Sequence, residues 1–214
     1  MSTLALNLQK SMQNPAKTLS IAGDSETDES LVVRAKQGDW GAFETLFNRH
    51  RTLVYRYAYQ MVQRRDDAED IVQEVFVRAY KNLDRYRDEA RFTTWLLRIA
   101  TNLATDRARM STRRQALEQQ EAQGALTWMT TNVSEDPVEN LESERKVLIL
   151  RKALNAMPEH HRNMIILRDI EERDYEEIAG ICGTSVGGAK LRVLRARRAL
   201  RDRMLPLLEE DENK

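Results

Sequence analysis

The sequence contains few of the residues that build disulfides, metal clusters and sheets. Its 214 residues include a single cysteine, 8 glycines and 4 prolines, and aromatic residues make up only 6%. One cysteine excludes an internal disulfide and a zinc site made of several cysteines. The low glycine, proline and aromatic content is typical of helical proteins rather than of sheets. We therefore expect an all-α fold.

Long apolar runs and a strong net charge are also absent. No stretch approaches the length of a membrane span, and the N-terminus lacks the basic and apolar segments of a signal peptide. We therefore expect a cytoplasmic protein without membrane insertion. Lysine and arginine total 34, as do aspartate and glutamate, so the overall charge gives no affinity for nucleic acid. Any such affinity must come from local segregation of charge.

No arrangement of residues supports catalysis or holds a cofactor. A paired acid and base, an activated nucleophile and a phosphate-binding glycine loop are all missing, so we expect neither enzyme activity nor a cofactor. His160 and His161 are adjacent and would point to different sides of a helix, which argues against a metal site. Cys182 lies on the apolar face of a predicted helix, where a small buried side chain is the expected role.

Hydrophobic periodicity predicts two small helical domains joined by a flexible linker. Helical spacing runs through residues 28–112 and returns over residues 138–207. Between them, residues 113–137 are rich in glutamine and lose the pattern, as expected of a linker. The polar residues 1–27 predict a flexible extension, and residues 208–214 form an acidic tail that we expect to fray.

The clearest local signal is a helix-turn-helix over residues 174–203. Asp174 and Glu177 form a capping-box pattern that begins a helix, and Gly183 is suited to the left-handed conformation that ends it. Ser185 is then a plausible cap for a second helix. An apolar stripe on that helix should pack inward, and it consists of Val186, Ala189, Val193, Ala196 and Leu200.

The second helix of this motif is strongly basic. Its outer positions carry Lys190, Arg192, Arg195, Arg197, Arg198, Arg201 and Arg203 against the single acid Asp202. A merely solvated face would interleave both signs of charge. Segregated positive charge on a helix suits phosphates and the DNA major groove, so we interpret it as a DNA-reading helix.

A predicted helix over residues 66–82 carries an acidic strip. At 100° per residue, Asp67, Asp70 and Glu74 fall on one side, away from the apolar face. Acids in the first turn can simply stabilise the helix dipole, which suffices for Asp66 and Asp67. Asp70 and Glu74 lie beyond that turn, so this strip is a candidate docking surface for a basic partner protein.

A loop and the helix after it suggest contact with single-stranded nucleic acid. The expected loop, residues 82–91, supplies Arg85, Tyr86 and Arg87, and the helix Phe92–Arg109 presents a polar and basic face. Cations track phosphates while exposed rings stack on unpaired bases. Because it lies in the loop, Tyr86 is the expected stacking residue. Phe92 and Trp95 are expected in the core.

Three segments together resemble the extracytoplasmic-function (ECF) sigma factors, a class of small bacterial transcription initiation subunits. They are DAEDIVQEVFVRAY at Asp67–Tyr80, RFTTWLLRIATNLATDRAR at Arg91–Arg109, and residues 174–201. The resemblance covers residues 28–205. It implies a non-catalytic factor that directs core RNA polymerase to promoters, with residues 28–112 as sigma region 2 and residues 138–207 as sigma region 4. The implied partners are the clamp helices of the largest polymerase subunit, the flap of the second largest, promoter DNA and an anti-sigma factor.

The resemblance also implies a role for particular residues. Core polymerase would be bound by Asp67, Asp70, Gln73 and Glu74. The minus-ten element would be bound by Asn82, Arg85, Tyr86, Arg87, Arg91, Trp95, Arg98, Asn102 and Arg109. The minus-thirty-five element would be bound by Ser185, Gly187, Gly188, Lys190, Leu191, Arg192, Arg195 and Arg198.

This chain departs from the family pattern in two places. Trp95 is followed by Leu96 where housekeeping sigma factors carry tandem tryptophans, which implies weaker melting and stricter promoter choice. At the start of the recognition helix, Gly188 allows close approach to phosphate, and Leu191 replaces a hydrogen-bonding group and could contact a thymine methyl.

Two other functions fit parts of the sequence. A stand-alone helix-turn-helix regulator would bind duplex DNA without polymerase, but it has no use for the acidic strip. A helical adaptor that does not bind DNA would leave the basic helix without a role.

Overall fold

The computed structural model describes residues 26–87, 90–121 and 141–212, and these residues form helices joined by short turns, with no strand among them. The helices are α1 Asp28–Lys36, α2 Trp40–Val62, α3 Arg65–Lys81, α4 Phe92–Glu121, α5 Leu141–Asn155, α6 Glu159–Ile165, α7 Tyr175–Cys182 and α8 Val186–Glu212. A 3₁₀ turn spans Leu83–Arg85 and a π-helical turn spans Ile166–Ile170. The expected all-α fold is confirmed.

Helices α1 to α4 form a bundle, here termed the amino-terminal half. Its core is aromatic, and the rings of Phe47 and Phe76 meet edge to face with centroids 4.8 Å apart. Phe43 makes a similar contact with Tyr80 at 4.9 Å. Burying a side chain of this size contributes about 1.5–3 kcal/mol to stability. These contacts join α2 to α3, and α4 packs against both helices.

Helices α5 to α8 form the carboxy-terminal half, which contains the helix-turn-helix. Helix α8 packs against α5, α6 and α7. Ala189, Val193 and Ala196 are fully buried along that contact, as the apolar stripe predicts. Small residues at these positions let α8 approach its neighbours closely.

Two expected boundaries differ from the structure. Helix α4 continues through Glu121, so residues 113–121 of the expected linker are helical. Periodicity lapses there because that stretch has no apolar stripe, yet Ala116, Leu117 and Glu118 are good helix formers. Helix α8 continues through Glu212 with Pro206 inside it, so residues 208–212 of the expected frayed tail are helical. The expected flexibility of residues 1–25 and 122–137 lies outside the described residues.

The two halves pack against one another. Helix α4 contacts α6 and α7, and α2 contacts α6 and the π-helical turn. The buried residues of both halves therefore join into one continuous cluster. We call this arrangement the closed form.

Candidate functional site

The helix-turn-helix follows from signals in its own sequence. The Asp174 carboxylate accepts a hydrogen bond from the Glu177 backbone N–H at 2.7 Å, and the Glu177 side chain accepts one from the Asp174 N–H at 3.2 Å. Gly183 ends α7 in the left-handed region with φ 60°. The predicted capping box and glycine stop are confirmed.

The turn explains why glycine stands at position 188. The Gly188 backbone N–H donates to Ser185 Oγ at 3.1 Å, so Ser185 caps the second helix as expected. A Cβ at position 188 would lie 2.5 Å from Thr184 Oγ1, too close for any other residue unless Thr184 moved. The Thr184 side chain therefore occupies the space that a side chain at position 188 would need.

The basic face of α8 is only partly free. Arg197 forms an ion pair with Asp169, and Arg203 Nε donates to the Ala156 carbonyl at 2.9 Å. Lys190 lies over the ring of Tyr175, 5.6 Å from its centroid. The exposed members of the expected set are Ser185, Gly187, Lys190, Leu191, Arg192, Arg195 and Arg198, while Gly188 is half-buried.

The acidic strip on α3 is divided between internal pairing and exposure. The Asp67 side chain is 17% exposed and accepts from Arg107 Nη1 at 2.9 Å, so it stabilises the bundle. Asp70 is 61% exposed and lies 3.7 Å from Arg107 Nη2. Glu74 is 47% exposed and pairs with Arg78 on its own helix. Gln73 is half-buried beside them.

The structure places Tyr86 differently from the expected open loop. Its side chain is in the core, at 3% exposure, with ring centroids 5.6 Å from Phe92 and 5.4 Å from Trp95. Its hydroxyl donates to the Ala90 carbonyl at 2.8 Å. The expectation that this ring is exposed is therefore wrong, and in this conformation the ring is not accessible to a base. Phe92 is buried as expected, and Trp95 is half-buried against it.

The remaining residues expected at the minus-ten element are largely accessible. Asn82 is half-buried and its side-chain amide donates to the Arg78 carbonyl at 2.9 Å. Arg91 lies 3.8 Å from Glu177, and Arg109 pairs with Glu159 at 2.9 Å. These pairs join α4, and Arg91 directly before it, to the other half. The exposed residues of the set are Arg85, Arg87, Arg91, Arg98, Asn102 and Arg109.

The polar face of α4 is covered in part by the helix-turn-helix. Thr94 and Thr101 are polar and lie on this face, yet both are buried. A Cβ on Gly180 of α7 would lie 3.2 Å from Thr94 Cγ2, so the helices touch at this glycine. Part of the face that the sequence assigns to a single DNA strand is therefore an interface between the halves in the closed form.

A buried hydrogen-bonded chain crosses this interface. Thr101 Oγ1 donates to the Tyr57 hydroxyl at 3.0 Å, and that hydroxyl donates to Asn163 Oδ1 at 2.7 Å. Burial raises the pKa of Tyr57 well above its ordinary value. The hydroxyl therefore stays protonated and supplies its one hydrogen to the opposite half.

Two arginines reinforce the interface, and sequence analysis missed both. Arg56 donates through Nε to Glu171 Oε1 at 2.7 Å, and the Glu171 side chain has no exposed surface. The pKa of Arg56 is raised chiefly by this hydrogen bond. Arg162 is buried and donates to the Met61 carbonyl across the interface at 2.6 Å and to Leu154 in its own half at 2.9 Å. Each buried charge is therefore hydrogen-bonded.

The closed form brings some of the expected DNA contacts together. Arg98 and Asn102 of α4 line the same cavity as Arg192 and Arg195 of α8. The remaining members of the minus-ten and minus-thirty-five sets lie outside it. Within the parts of the chain that the structure describes, no helix has the length and apolar character needed to cross a membrane, and no cluster of three or more potential metal ligands occurs.

The chain matches two protein-family models, in the order that its architecture suggests. Residues 46–114 match Sigma-70 region 2, and residues 147–200 match Sigma-70, region 4. The ECF RNA polymerase sigma-E factor of Haemophilus influenzae is 35% identical over 186 residues, covering 85% of this chain and 97% of that protein. The ECF RNA polymerase sigma factor SigW of Bacillus subtilis is 34% identical over 182 residues, covering 82% and 96%.

Solved structures show the same fold. The sigma factor RpoE of Bartonella quintana, solved with the anti-sigma factor NepR, is 25% identical with a TM-score of 0.53, covering 76% of this chain and 96% of that one. CnrH, solved with the cytosolic domain of CnrY, is 24% identical with a TM-score of 0.60, covering 87% and 99%. The chain belongs to the ECF RNA polymerase sigma factors. Members of this family are non-catalytic transcription initiation subunits.

Proposed function

We propose that this sigma factor binds core RNA polymerase through Asp70 and Glu74, with Gln73 beside them. The observation that carries this proposal is that both carboxylates remain well exposed on a rigid helix, beyond the first turn where the helix dipole would account for them. Asp67 contributes indirectly, because its pairing with Arg107 fixes α3 against α4. The clamp helices of the largest polymerase subunit are the proposed partner.

The promoter contacts are divided between the two halves. Residues 28–112 would recognise the minus-ten element through Arg85, Arg87, Arg98 and Asn102, with the half-buried Trp95 at the edge. Residues 138–207 would read the minus-thirty-five element through the exposed start of α8, and this half would also contact the flap of the second-largest subunit. Phosphate contacts position the protein, while contacts to base edges give specificity.

Promoter binding requires the halves to separate. Thr94 lies against α7 in the closed form and Thr101 is also buried, so a DNA strand cannot follow the whole polar face of α4. Separation would uncover this face and would also free the walls of the cavity that Arg98 shares with α8. We propose that polymerase selects the open form, since a partner shifts an equilibrium by its differential affinity for the two states.

An anti-sigma protein is the proposed regulator of this chain. The support is that the related RpoE of Bartonella quintana was solved in complex with the anti-sigma factor NepR. An inhibitor that bound the closed form would keep the α4 face covered.

Run-off transcription with core polymerase tests the proposed function. We expect the purified chain to direct initiation from a cognate promoter and the variant Asp70→Lys to lose core binding. Glu69→Lys is a matched control, because it makes the same charge change at an exposed neighbouring position on another side of α3. If the chain bound promoter duplex alone, without stimulating initiation, it would be a stand-alone helix-turn-helix regulator instead.

A further inference from the structure

The cavity between the halves has a lining that the promoter contacts alone do not explain. Its volume is about 690 Å³, within the range of small-molecule sites. The amino-terminal wall comes from α4 and the opposite wall from α6, α7 and α8. The lining residues are Arg98, Thr101, Asn102, Thr105, His160, His161, Asn163, Met164, Ile181, Cys182, Gly183, Arg192 and Arg195.

The lining is positively charged and uncompensated. Among the described residues that form it, three are arginines and none carries a carboxylate. Arg98, Arg192 and Arg195 form no ion pair with an acid in the described parts of the chain. Their charges come from both halves, so closing the protein brings like charges towards one another. Because all three side chains are exposed, solvent screens this repulsion, but an anion placed between them would be attracted to both walls.

Neighbouring titratable groups respond to this positive potential. The pKa of His161 is lowered, first by burial and then by electrostatic interactions with His160, Arg203 and Arg195. Burial raises the pKa of Cys182, and the charge of Arg192 opposes that shift. A Cβ on Gly183 would lie 3.9 Å from Arg98 Nη2, so this guanidinium reaches across to the helix-turn-helix.

We propose that the cavity binds a small anion with two or more linked phosphoryl groups, which bridges Arg98 of one half to Arg192 and Arg195 of the other. Guanidinium groups match phosphate oxygens in geometry as well as in charge. Asn102 and Thr105 on the same wall add uncharged hydrogen-bond donors. Linked phosphoryl groups offer more acceptor oxygens than a single phosphate, and three arginines can share them.

The bound anion stabilises the closed form. It interacts with both walls only while the halves are together, so it binds the closed form more tightly and shifts the equilibrium towards it. It also occupies three arginines that are expected to contact promoter DNA. This consequence for transcription depends on the proposed function, whereas the binding itself does not. The binding is therefore measured on the free protein, without polymerase or DNA.

The test titrates the full-length protein with inorganic tripolyphosphate in a calorimeter. We expect binding with one anion per chain. Loss of one charge-assisted contact should weaken it by roughly tenfold or more in Arg98→Gln and in Arg192→Gln. Arg201→Gln is the matched control, because Arg201 is an exposed arginine of α8 that does not line the cavity. Equal weakening in all three variants would mean diffuse attraction and would overturn the proposal, as would absence of binding to the unmodified chain.

Further titrations identify the source of the phosphate and the state that binds it. If ATP and tripolyphosphate bind with equal affinity, the cavity recognises the phosphates alone. If ATP binds more tightly, the cavity also recognises the nucleoside. Either result supports the site. Adenosine binding equally well would overturn it.

A disulfide between Thr94→Cys and Gly180→Cys, made in a Cys182→Ala background, holds the halves together, and this closed protein should still bind tripolyphosphate. Its failure to bind would refute the bridging geometry. A single-stranded oligonucleotide that bound the same closed protein with equal affinity would assign the cavity to nucleic acid instead.

Discussion

A disulfide across the interface should switch this sigma factor off. Thr94 and Gly180 face each other on α4 and α7, and a Cβ on Gly180 would lie 3.2 Å from Thr94 Cγ2. In a disulfide, each Cβ lies about 3 Å from the sulfur of the other residue, so Thr94→Cys and Gly180→Cys bring the two sulfurs within reach of each other. Cys182→Ala removes the single native thiol, so no other disulfide can form within the chain.

The expected magnitude follows from the length of chain that the disulfide closes. The loop from residue 94 to residue 180 contains roughly 87 residues, and loop-closure entropy then predicts a stabilisation of about 4.6 kcal/mol relative to the reduced protein. In a protein of this size, the melting temperature should rise by on the order of 10 °C. While the disulfide is intact, it prevents the halves from separating.

Run-off transcription under oxidising and reducing conditions measures the effect. We expect the oxidised protein to lose most of its run-off activity, since the bonded halves cannot separate. Reductant should restore activity. Each single cysteine variant serves as a control whose activity should not respond to oxidation. If mass spectrometry showed a complete disulfide and transcription continued at the reduced rate, separation of the halves would not be required.

Three further outcomes test individual contacts. Asp70→Lys combined with Glu74→Lys should abolish binding to core polymerase without changing the circular dichroism spectrum; retained affinity would rule out this docking surface. Arg192→Ala should weaken promoter binding by the holoenzyme and reduce its salt dependence by about one unit of slope, which filter binding at several salt concentrations would detect. Tyr57→Phe leaves the Asn163 carbonyl oxygen without its donor and should lower the free energy of unfolding by about 1–3 kcal/mol in urea titration; an unchanged midpoint would show that water replaces the hydroxyl.

The helix-turn-helix could be predicted from sequence because its signals are local. Asp174 and Glu177 satisfy each other's backbone groups within one turn, and Gly183 adopts its left-handed conformation immediately afterwards. Ser185 caps the next helix through a residue three positions away. No distant part of the chain is needed to fix these features.

The interface between the halves could not be predicted in the same way. From the sequence, Thr94 and Thr101 belong to a polar face that is expected to be exposed, although both are buried. Hydrophobic periodicity predicts burial only for apolar residues, so it cannot identify buried threonines. Glu171 is an acid with no exposed side-chain surface, and only its pairing with Arg56, far away in sequence, makes that possible. The sequence predicts an exposed Tyr86 because it lies in a loop. Loop-forming residues indicate the backbone conformation, however, and not the direction in which the ring points.

Buried hydrogen-bonding groups form part of the interface between the halves, beside the apolar residues that join both halves into one cluster. When the halves part, Glu171, Tyr57 and Asn163 exchange protein partners for water, which hydrates such groups well. An interface built mainly from leucine and phenylalanine would instead expose a large apolar surface, prone to aggregation, each time it opened. Because these groups can be hydrated, the separation that we propose would expose less apolar surface than an interface without them would.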